Sequence, residues 1–179
     1  EHHHLAMRVA DPGATEQDII QALQYCSYEL KLFSGTPMIA FDNQQYQRCA
    51  LCPRVCHANR LTGANGFCAE GWQCRVAYIG AHFGEEPCIS GRNGSGTIFF
   101  SGCSCGCFFC QNHQLSQGHL GELLSPDELL ERCRDLARSG VHNLNFVTPE
   151  HFWPHIRFLC QNLRQEGCEL PFLWNSSGF

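Results

Sequence analysis

The sequence predicts an α/β fold with a parallel sheet. Three short runs of β-branched, aromatic and aliphatic residues alternate with two amphipathic helical segments, in the order strand, helix, strand, helix, strand. Helical crossovers are right-handed and return the chain to a parallel neighbour. One group of cysteines precedes this repeat, and a second group directly follows its first strand. All three strand ends should share the carboxyl edge of one sheet, where such folds place their ligands.

Length and composition fit one ordinary domain or part of a larger one. The chain has 179 residues, 44% of them hydrophobic, a net charge of −5, and eleven arginines and one lysine without a basic run. Nucleic acid is not an expected partner, because phosphate binding needs a concentrated basic face. Neither a secretory signal nor an apolar run of about 18 residues is visible, so no membrane partner is expected. The fourteen cysteines then fit metal-bound thiolates in a reducing cytoplasm.

Residues 1–48 are predicted to form an N-terminal helical extension. Thr15 is a candidate N-cap, with the acidic Asp18 three residues later and an apolar run behind it. The helix is expected to reach about Leu32, before residues 34–37 end it. Its expected role is packing.

Residues 49–90 form a cysteine-rich segment that is predicted to bind metal. Four cysteines have the spacing C-x2-C-x3-C-x11-C, namely Cys49, Cys52, Cys56 and Cys68. Four thiolates make a closed site with an electron-relay or structural role, which suits either zinc or a second iron–sulfur cluster. The spacing does not choose between these metals, and Cys74 or Cys88 could replace one ligand. Buried free cysteines are the alternative without metal.

The first strand of the repeat is predicted at residues 97–100, after a loop at residues 76–96 that is rich in glycine, histidine and acidic residues. Behind the strand, Cys103, Cys107 and Cys110 have the spacing C-x3-C-x2-C. An electron-transfer 4Fe-4S cluster normally takes four cysteines. Three would leave one iron open to a substrate or cofactor.

Other readings of this loop remain open. Cys105 also lies in it, so the loop has enough thiols for a four-cysteine zinc site or for a disulfide. Zinc knuckles usually come as two separated pairs, whereas these thiols fall in one loop behind a strand. Cys105 is therefore expected to be a bystander.

The clearest helix is expected after Ser125, which forms a capping box with Glu128, and Gly140 should end it. Cys133 lies in its inward stripe and is predicted to be a core residue.

Two further strands and one helix complete the repeat. Residues 144–147 and 172–175 are the predicted strands, and residues 154–166 are the predicted helix between them. Residues 148–151 and 175–177 follow these strands, so they should lie at the same sheet edge as the cysteine loop.

These motifs together resemble the radical S-adenosylmethionine superfamily, in the branch related to pyruvate formate-lyase activating enzyme. The resemblance covers about residues 49–179 and rests first on the C-x3-C-x2-C motif, with Phe109 before its last cysteine. The other similar stretches are the first cysteine-rich segment, residues 85–91, Cys110-Gln111-Asn112, residues 145–149 and residues 174–178.

The resemblance implies a partial (β/α)6 barrel with parallel strands. Residues 91–179 would supply only its first half, so the chain is expected to be truncated and not fully active by itself. In that family, three cysteines, here Cys103, Cys107 and Cys110, hold a 4Fe-4S cluster. Its open iron chelates the amino and carboxylate groups of S-adenosylmethionine.

The cofactor pocket is expected at the strand ends. The resemblance places Phe109 near the adenine, and the strand order places Thr148, Pro149 and Asn175 around the same edge. Many relatives carry Gly-Gly-Glu after the second strand, where this chain differs, so Glu150 is a candidate partner of the methionine amino group. Ordinary turn chemistry is the alternative role for Thr148 and Asn175.

The implied activity is that of an oxidoreductase which reductively cleaves S-adenosylmethionine to a 5′-deoxyadenosyl radical for hydrogen abstraction. The implied partners are a low-potential electron donor such as ferredoxin or flavodoxin and, as in activating enzymes, a protein substrate that carries the target glycine. A non-enzymatic zinc or Fe-S binding module is the alternative from a different class of protein function.

Overall fold

A computed structural model describes residues 40–177. Within them the strands are β1 (Cys74–His82), β2 (Ser95–Phe100), β3 (Glu122–Leu124), β4 (Leu144–Val147) and β5 (Phe172–Asn175). The α-helices are α1 (Pro87–Ser90), α2 (His113–Ser116), α3 (Pro126–Arg138) and α4 (Trp153–Gln165). Short 3-10 turns cover Gln44–Tyr46, Arg60–Thr62 and Glu150–Phe152. The helix predicted from Thr15 lies outside the described residues.

The strands form one five-stranded mixed sheet in the order β3-β1-β2-β4-β5. β2, β4 and β5 are parallel neighbours, with Ile98 opposite Phe146 and Phe146 opposite Trp174. These are the three strands that the repeat predicts, and their parallel pairing is confirmed. Their carboxyl ends consequently meet at one edge of the sheet.

The other two strands were not predicted, and the expectation of a loop at residues 76–96 was wrong. β1 covers most of the first half of that stretch and pairs antiparallel with β2, where Gly80 faces Thr97 and Ala81 faces Gly96. β3 pairs antiparallel with the beginning of β1. The glycine and histidine residues of β1 disfavour a strand locally. Because β1 pairs with the buried strand β2 along nearly the whole length of β2, that pairing overrides the local preference. The sheet is therefore mixed, not purely parallel.

Helices α3 and α4 share one hydrophobic core with the sheet. Leu129, Leu136 and Ile156 are buried with Ile98 and Phe146 of the parallel strands. Cys133 is completely buried in the same core, as predicted. No helix in the part of the chain that the structure describes is long and apolar enough to cross a membrane.

The capping box of α3 is formed as predicted. The Ser125 hydroxyl accepts from the backbone N–H of Glu128 at 3.2 Å, and the Glu128 carboxylate accepts from the backbone N–H of Ser125 at 2.8 Å. Pro126 occupies the first turn, where no intrahelical donor is needed. This local chemistry sets where the chain turns back after β3.

Candidate metal and cofactor site

The cysteine loop leaves the carboxyl end of β2 and is tied down on both sides. The Ser101 amide donates to the Arg75 carbonyl at 3.0 Å, and the Gly102 amide donates to the Leu115 carbonyl at 3.0 Å. Farther along, the Cys110 amide donates to the Cys107 carbonyl at 3.3 Å and closes a tight turn. Two of the predicted ligands thus lie on one turn of an anchored loop.

Two of the loop sulfurs already accept hydrogen bonds. Cys103 Sγ accepts from the Cys105 amide at 3.4 Å, and Cys110 Sγ accepts from the Ser116 hydroxyl at 3.3 Å. Burial raises the pKa of the Cys103 thiol, while the amides of Cys105 and Gly106 oppose that rise. Donors of this kind stabilise a thiolate that serves as a metal ligand.

As placed, no three or more His, Cys, Asp or Glu side chains within residues 40–177 are grouped so that they could hold a metal ion. The donor chemistry of the loop nevertheless suits a metal. It presents the thiols of Cys103, Cys107 and Cys110, and thiolates are the ligands that iron–sulfur clusters and zinc take. Because two of these sulfurs also have hydrogen-bond donors, the residues present fit an iron–sulfur group.

The ends of β4 and β5 bring the predicted strand-end residues together. The Thr148 amide donates to the Asn175 carbonyl at 2.8 Å. Glu150 is buried, and its Oε1 accepts from the Ser177 amide at 2.7 Å and from the Ser177 hydroxyl at 3.2 Å. Thr148 has a φ of 45°, and Pro149 links it to Glu150. The short Thr-Pro-Glu stretch is therefore held against the end of β5.

This stretch also reaches the cysteine loop through His151. The His151 ring is completely buried, and burial lowers its pKa to about 4, so the ring is neutral at pH 7. Its Nε2–H donates to the Ser101 carbonyl at 2.8 Å. The start of the loop and the end of β4 are thereby fixed relative to one another.

Phe109 lies on the open side of the loop. Its side chain is 72% exposed, and its ring meets that of Phe108 edge-to-face at 4.9 Å. Of the predicted cofactor residues, the structure brings together Thr148, Pro149, Glu150 and Asn175, and it places Phe109 toward solvent.

Three of the four cysteines of the first segment lie around Gly66 and Arg60, namely Cys49, Cys56 and Cys68. Cys49 and Cys68 are buried, Cys52 is half-buried and Cys56 is exposed. A Cβ atom on Gly66 would lie 3.3 Å from Cys56 Sγ and 3.5 Å from Cys68 Sγ.

Backbone amides of the segment affect three of these four thiols. The backbone amides of Arg54, Ala58 and Glu70 act to lower the pKa values of Cys52, Cys56 and Cys68, respectively. Burial nevertheless raises the pKa of Cys52 and Cys68. Burial opposes but does not outweigh the hydrogen bonds at Cys56, whose pKa is lowered.

Two arginines between these cysteines hold the segment against the α/β unit. Arg60 is buried and donates to the Gly71 carbonyl at 3.0 Å, to the His151 carbonyl at 2.6 Å and to Cys49 Sγ at 3.7 Å. Arg54 donates to the Ser104 carbonyl at 2.7 Å and to the Cys105 carbonyl at 3.2 Å. Sequence reasoning missed both residues, although they are the only cations between Cys49 and Cys68.

Glu70 is a third residue that sequence reasoning missed. Its carboxylate is 2% exposed, forms an ion pair with Arg75 at 3.3 Å and is hydrogen-bonded to His119 Nδ1 at 2.7 Å. A Cβ atom on Gly102 would lie 2.5 Å from Glu70 Cγ. The carboxylate therefore lies directly beside the start of the cysteine loop.

Comparisons with known proteins give one informative similarity. No protein-family model matches the chain, and no solved structure matches it. The chain is similar to the uncharacterized protein MJ0674 of Methanocaldococcus jannaschii, with 29% identity over 141 residues. The alignment covers 74% of this chain and 39% of that relative, so the chain spans about two fifths of the relative's length. The relative's name states no activity, so the similarity by itself assigns no function.

Proposed function

We propose that the protein is a radical S-adenosylmethionine oxidoreductase in which Cys103, Cys107 and Cys110 hold a 4Fe-4S cluster with one iron open to the cofactor. One observation carries the proposal: the three-thiol loop begins at the sheet edge where the parallel strands β4 and β5 also end. Ligands of parallel sheets bind at this edge. The proposal requires β2, β4 and β5 to be the first strands of a partial (β/α)6 barrel.

The strand-end residues support a cofactor site. Thr148 is β-branched, yet it adopts a left-handed φ of 45° that glycine takes without strain. Strained backbone of this kind clusters at ligand sites. Thr148-Pro149-Glu150 therefore suits the place of the Gly-Gly-Glu stretch in the family that the sequence resembles, with Glu150 as partner of the methionine amino group. Asn175 and Phe109 would line the ribose and adenine ends.

The chain's own residues have defined parts in this proposal. When bound, the reduced cluster would supply the one electron that cleaves S-adenosylmethionine, and the resulting 5′-deoxyadenosyl radical would abstract hydrogen from the substrate. His151 and Arg54 hold the loop that carries the ligands, and Ser177 orients the Glu150 carboxylate. A low-potential donor such as ferredoxin or flavodoxin would deliver the electron. A glycine on a partner enzyme is the candidate substrate.

The test is anaerobic reconstitution followed by iron and sulfide analysis and EPR. Replacement of Cys103, Cys107 or Cys110 by Ala should in each case remove the same cluster signal, whereas Cys105→Ala should keep it. Loss of the signal in Cys105→Ala with retention in Cys107→Ala would overturn the ligand assignment.

The cofactor is tested in the same preparation. S-adenosylmethionine should perturb the EPR signal of the reduced cluster, and 5′-deoxyadenosine should appear. An unchanged spectrum at saturating cofactor, without 5′-deoxyadenosine, would instead support a non-enzymatic zinc or Fe-S binding module. That second function is favoured by the four thiols of the first segment, which have the spacing C-x2-C-x3-C-x11-C.

A further inference from the structure

We propose that a groove between β1 and α3 binds an extended segment of a partner protein, which adds to the sheet as a further strand and carries a basic side chain. The groove has a volume of about 680 Å³ and is lined by residues 76–81 of β1, by Glu122 of β3 and by one face of α3. It contains none of the residues proposed to hold a cluster or S-adenosylmethionine, so its role goes beyond the proposed function.

Part of the outer edge of β1 has no strand beside it within residues 40–177. β2 pairs with β1 from Val76 to His82, whereas β3 pairs only with the first three residues of β1, Cys74 to Val76. The stretch 77–82 therefore has a neighbouring strand on one side only. A row of unpaired backbone donors and acceptors is a template for pairing with another chain.

Two residues of this stretch direct their backbone groups away from the sheet. The Gly96 amide of β2 donates to the Asn143 carbonyl next to β4 at 3.0 Å, so the following residue, Thr97, faces β1. The residue opposite Thr97 faces back toward it, and backbone direction alternates along a strand. The N–H and C=O groups of its two neighbours, Ile79 and Ala81, therefore point to the free edge.

The side chains of the free stretch protect this edge only lightly. Residues 77–82 include no proline, lysine or acidic residue, which are the types that usually block an exposed edge. A bulge between Val76 and Tyr78 affects only the beginning of the stretch. Farther along, the Tyr78 hydroxyl donates to the outward Ala81 carbonyl at 3.0 Å. An N–H of an added strand can take the place of this hydroxyl, because the Tyr78 side chain is 43% exposed and free to turn into solvent.

The floor of the groove is apolar. Ile79 and Leu136 both line it, and both pack in the hydrophobic core. Ile79 lies opposite the buried Ile98, so its side chain is on the face of the sheet that α3 covers. Directly opposite residues of paired strands share a face, so the residue of the segment beside Ile79 would also face α3. Alternate side chains of the segment, about 7 Å apart, would thus contact this floor.

The rim of the groove favours a basic side chain. Of the three ionisable residues that line the groove, Arg132 and Glu122 form an ion pair with each other, which leaves Asp135. The Asp135 side chain is 72% exposed, and its ion pair with Arg138 is long, at 4.0 Å. The C-terminal end of α3, at Ser139, also borders the groove, and a helix C-terminus carries partial negative charge. A lysine or arginine of the segment therefore fits beside Asp135.

The probe is a blocked heptapeptide, Thr-Val-Thr-Lys-Thr-Val-Thr, because its valines and its lysine lie on one face of an extended chain. Added to the full chain, it should slow amide hydrogen exchange at Ile79 and Ala81 and leave Gly80, whose amide faces β2, unchanged. The same peptide with glutamate in place of lysine should bind about threefold more weakly. Unchanged exchange at Ile79 and Ala81 in millimolar lysine peptide would refute the groove as a binding site.

Two variants test the backbone and the charge separately. Tyr78→Phe frees the Ala81 carbonyl and should raise the affinity for the lysine peptide about threefold, since one hydrogen bond no longer has to be broken. Asp135→Arg should lower that affinity about threefold, whereas Glu131→Arg, an equal change of charge at an exposed position of α3 outside the groove, should not. Equal affinities of the two arginine variants would show that the groove does not select a basic side chain.

A second copy of this chain is the competing occupant. If β1 paired edge to edge between two copies, exchange at Ile79 and Ala81 would slow as the protein concentration rises, and sedimentation would show a dimer that the peptide does not dissociate. That result would overturn the assignment to a partner protein. Ala81→Pro removes one outward N–H at an edge position where proline is tolerated. It should abolish the effect of the peptide on Ile79, and an undiminished effect would contradict strand addition.

Discussion

At the scale of single residues, Gly102 shows how closely the two cysteine-bearing segments approach. It begins the loop that carries Cys103, and its φ is +76°. A Cβ atom there would lie 2.5 Å from Glu70 Cγ and 2.7 Å from the Cys68 carbonyl oxygen. Both the backbone conformation and the space therefore demand glycine.

Gly102→Ala should lower the free energy of unfolding by about 3 kcal/mol, because backbone strain and overpacking add. Gly63→Ala is the matched control: its φ is +86°, but nothing lies within 4 Å of the added Cβ, so strain alone should cost about 1 kcal/mol. Urea unfolding of both variants measures the difference. Equal losses would show that the segments do not press against one another at Gly102.

At the scale of elements, the hydrogen bonds of the first turn determine where α3 begins. Hydrogen bonds to Ser125 lower the pKa of Glu128, so the capping box is at full strength only while that carboxylate is ionised. With a folded pKa below the unfolded one, this contribution is present at neutral pH and is lost as the pH falls through the folded value. The cap thus weakens in acid.

Ser125→Ala should cost about 1 kcal/mol at pH 7, because the side-chain acceptor for the Glu128 amide disappears. Glu131→Ala, an exposed change within the same helix, should alter stability by less than about 0.5 kcal/mol. Thermal unfolding of the two variants provides the measurement. A Ser125→Ala protein as stable as the Glu131→Ala protein would mean that the cap contributes nothing to α3.

At the scale of the whole molecule, two buried histidines couple the fold to pH. Burial lowers the pKa of His151 to about 4 and that of His155 to about 3. The Arg60 cation contributes to both shifts, and the Tyr46 hydroxyl is hydrogen-bonded to His155 Nδ1 at 2.7 Å. Both rings are neutral in the folded chain, while each takes up a proton near pH 6.5 in the unfolded chain.

The unfolded state therefore binds more protons between about pH 4 and 6.5, so stability should fall as the pH is lowered through that window. Each histidine should contribute a slope of about 1.4 kcal/mol per pH unit. His155→Phe should remove one such contribution, whereas His113→Phe, an exposed position, should leave the slope unchanged. Urea unfolding at pH 7, 6 and 5 measures it, and identical slopes in the two variants would contradict the coupling.

The sequence by itself determined the elements whose signals are local. β4 and β5 lie at the predicted residues, and α3 begins at the predicted cap, because apolar periodicity and capping chemistry act within a few residues. The placement of strand-end residues along one sheet edge also followed, since parallel pairing is a consequence of the helical crossovers.

Only the tertiary structure decided the rest. β1 forms because β2 is there to pair with it, and its glycine and histidine give no such signal locally. The contacts that organise the site join residues far apart in the chain: Arg54 reaches Ser104, Arg60 reaches the His151 carbonyl, and His151 reaches Ser101. Motif spacing identifies candidate ligands, but buried polar groups find their partners only when the folded chain brings distant carbonyls within hydrogen-bond reach.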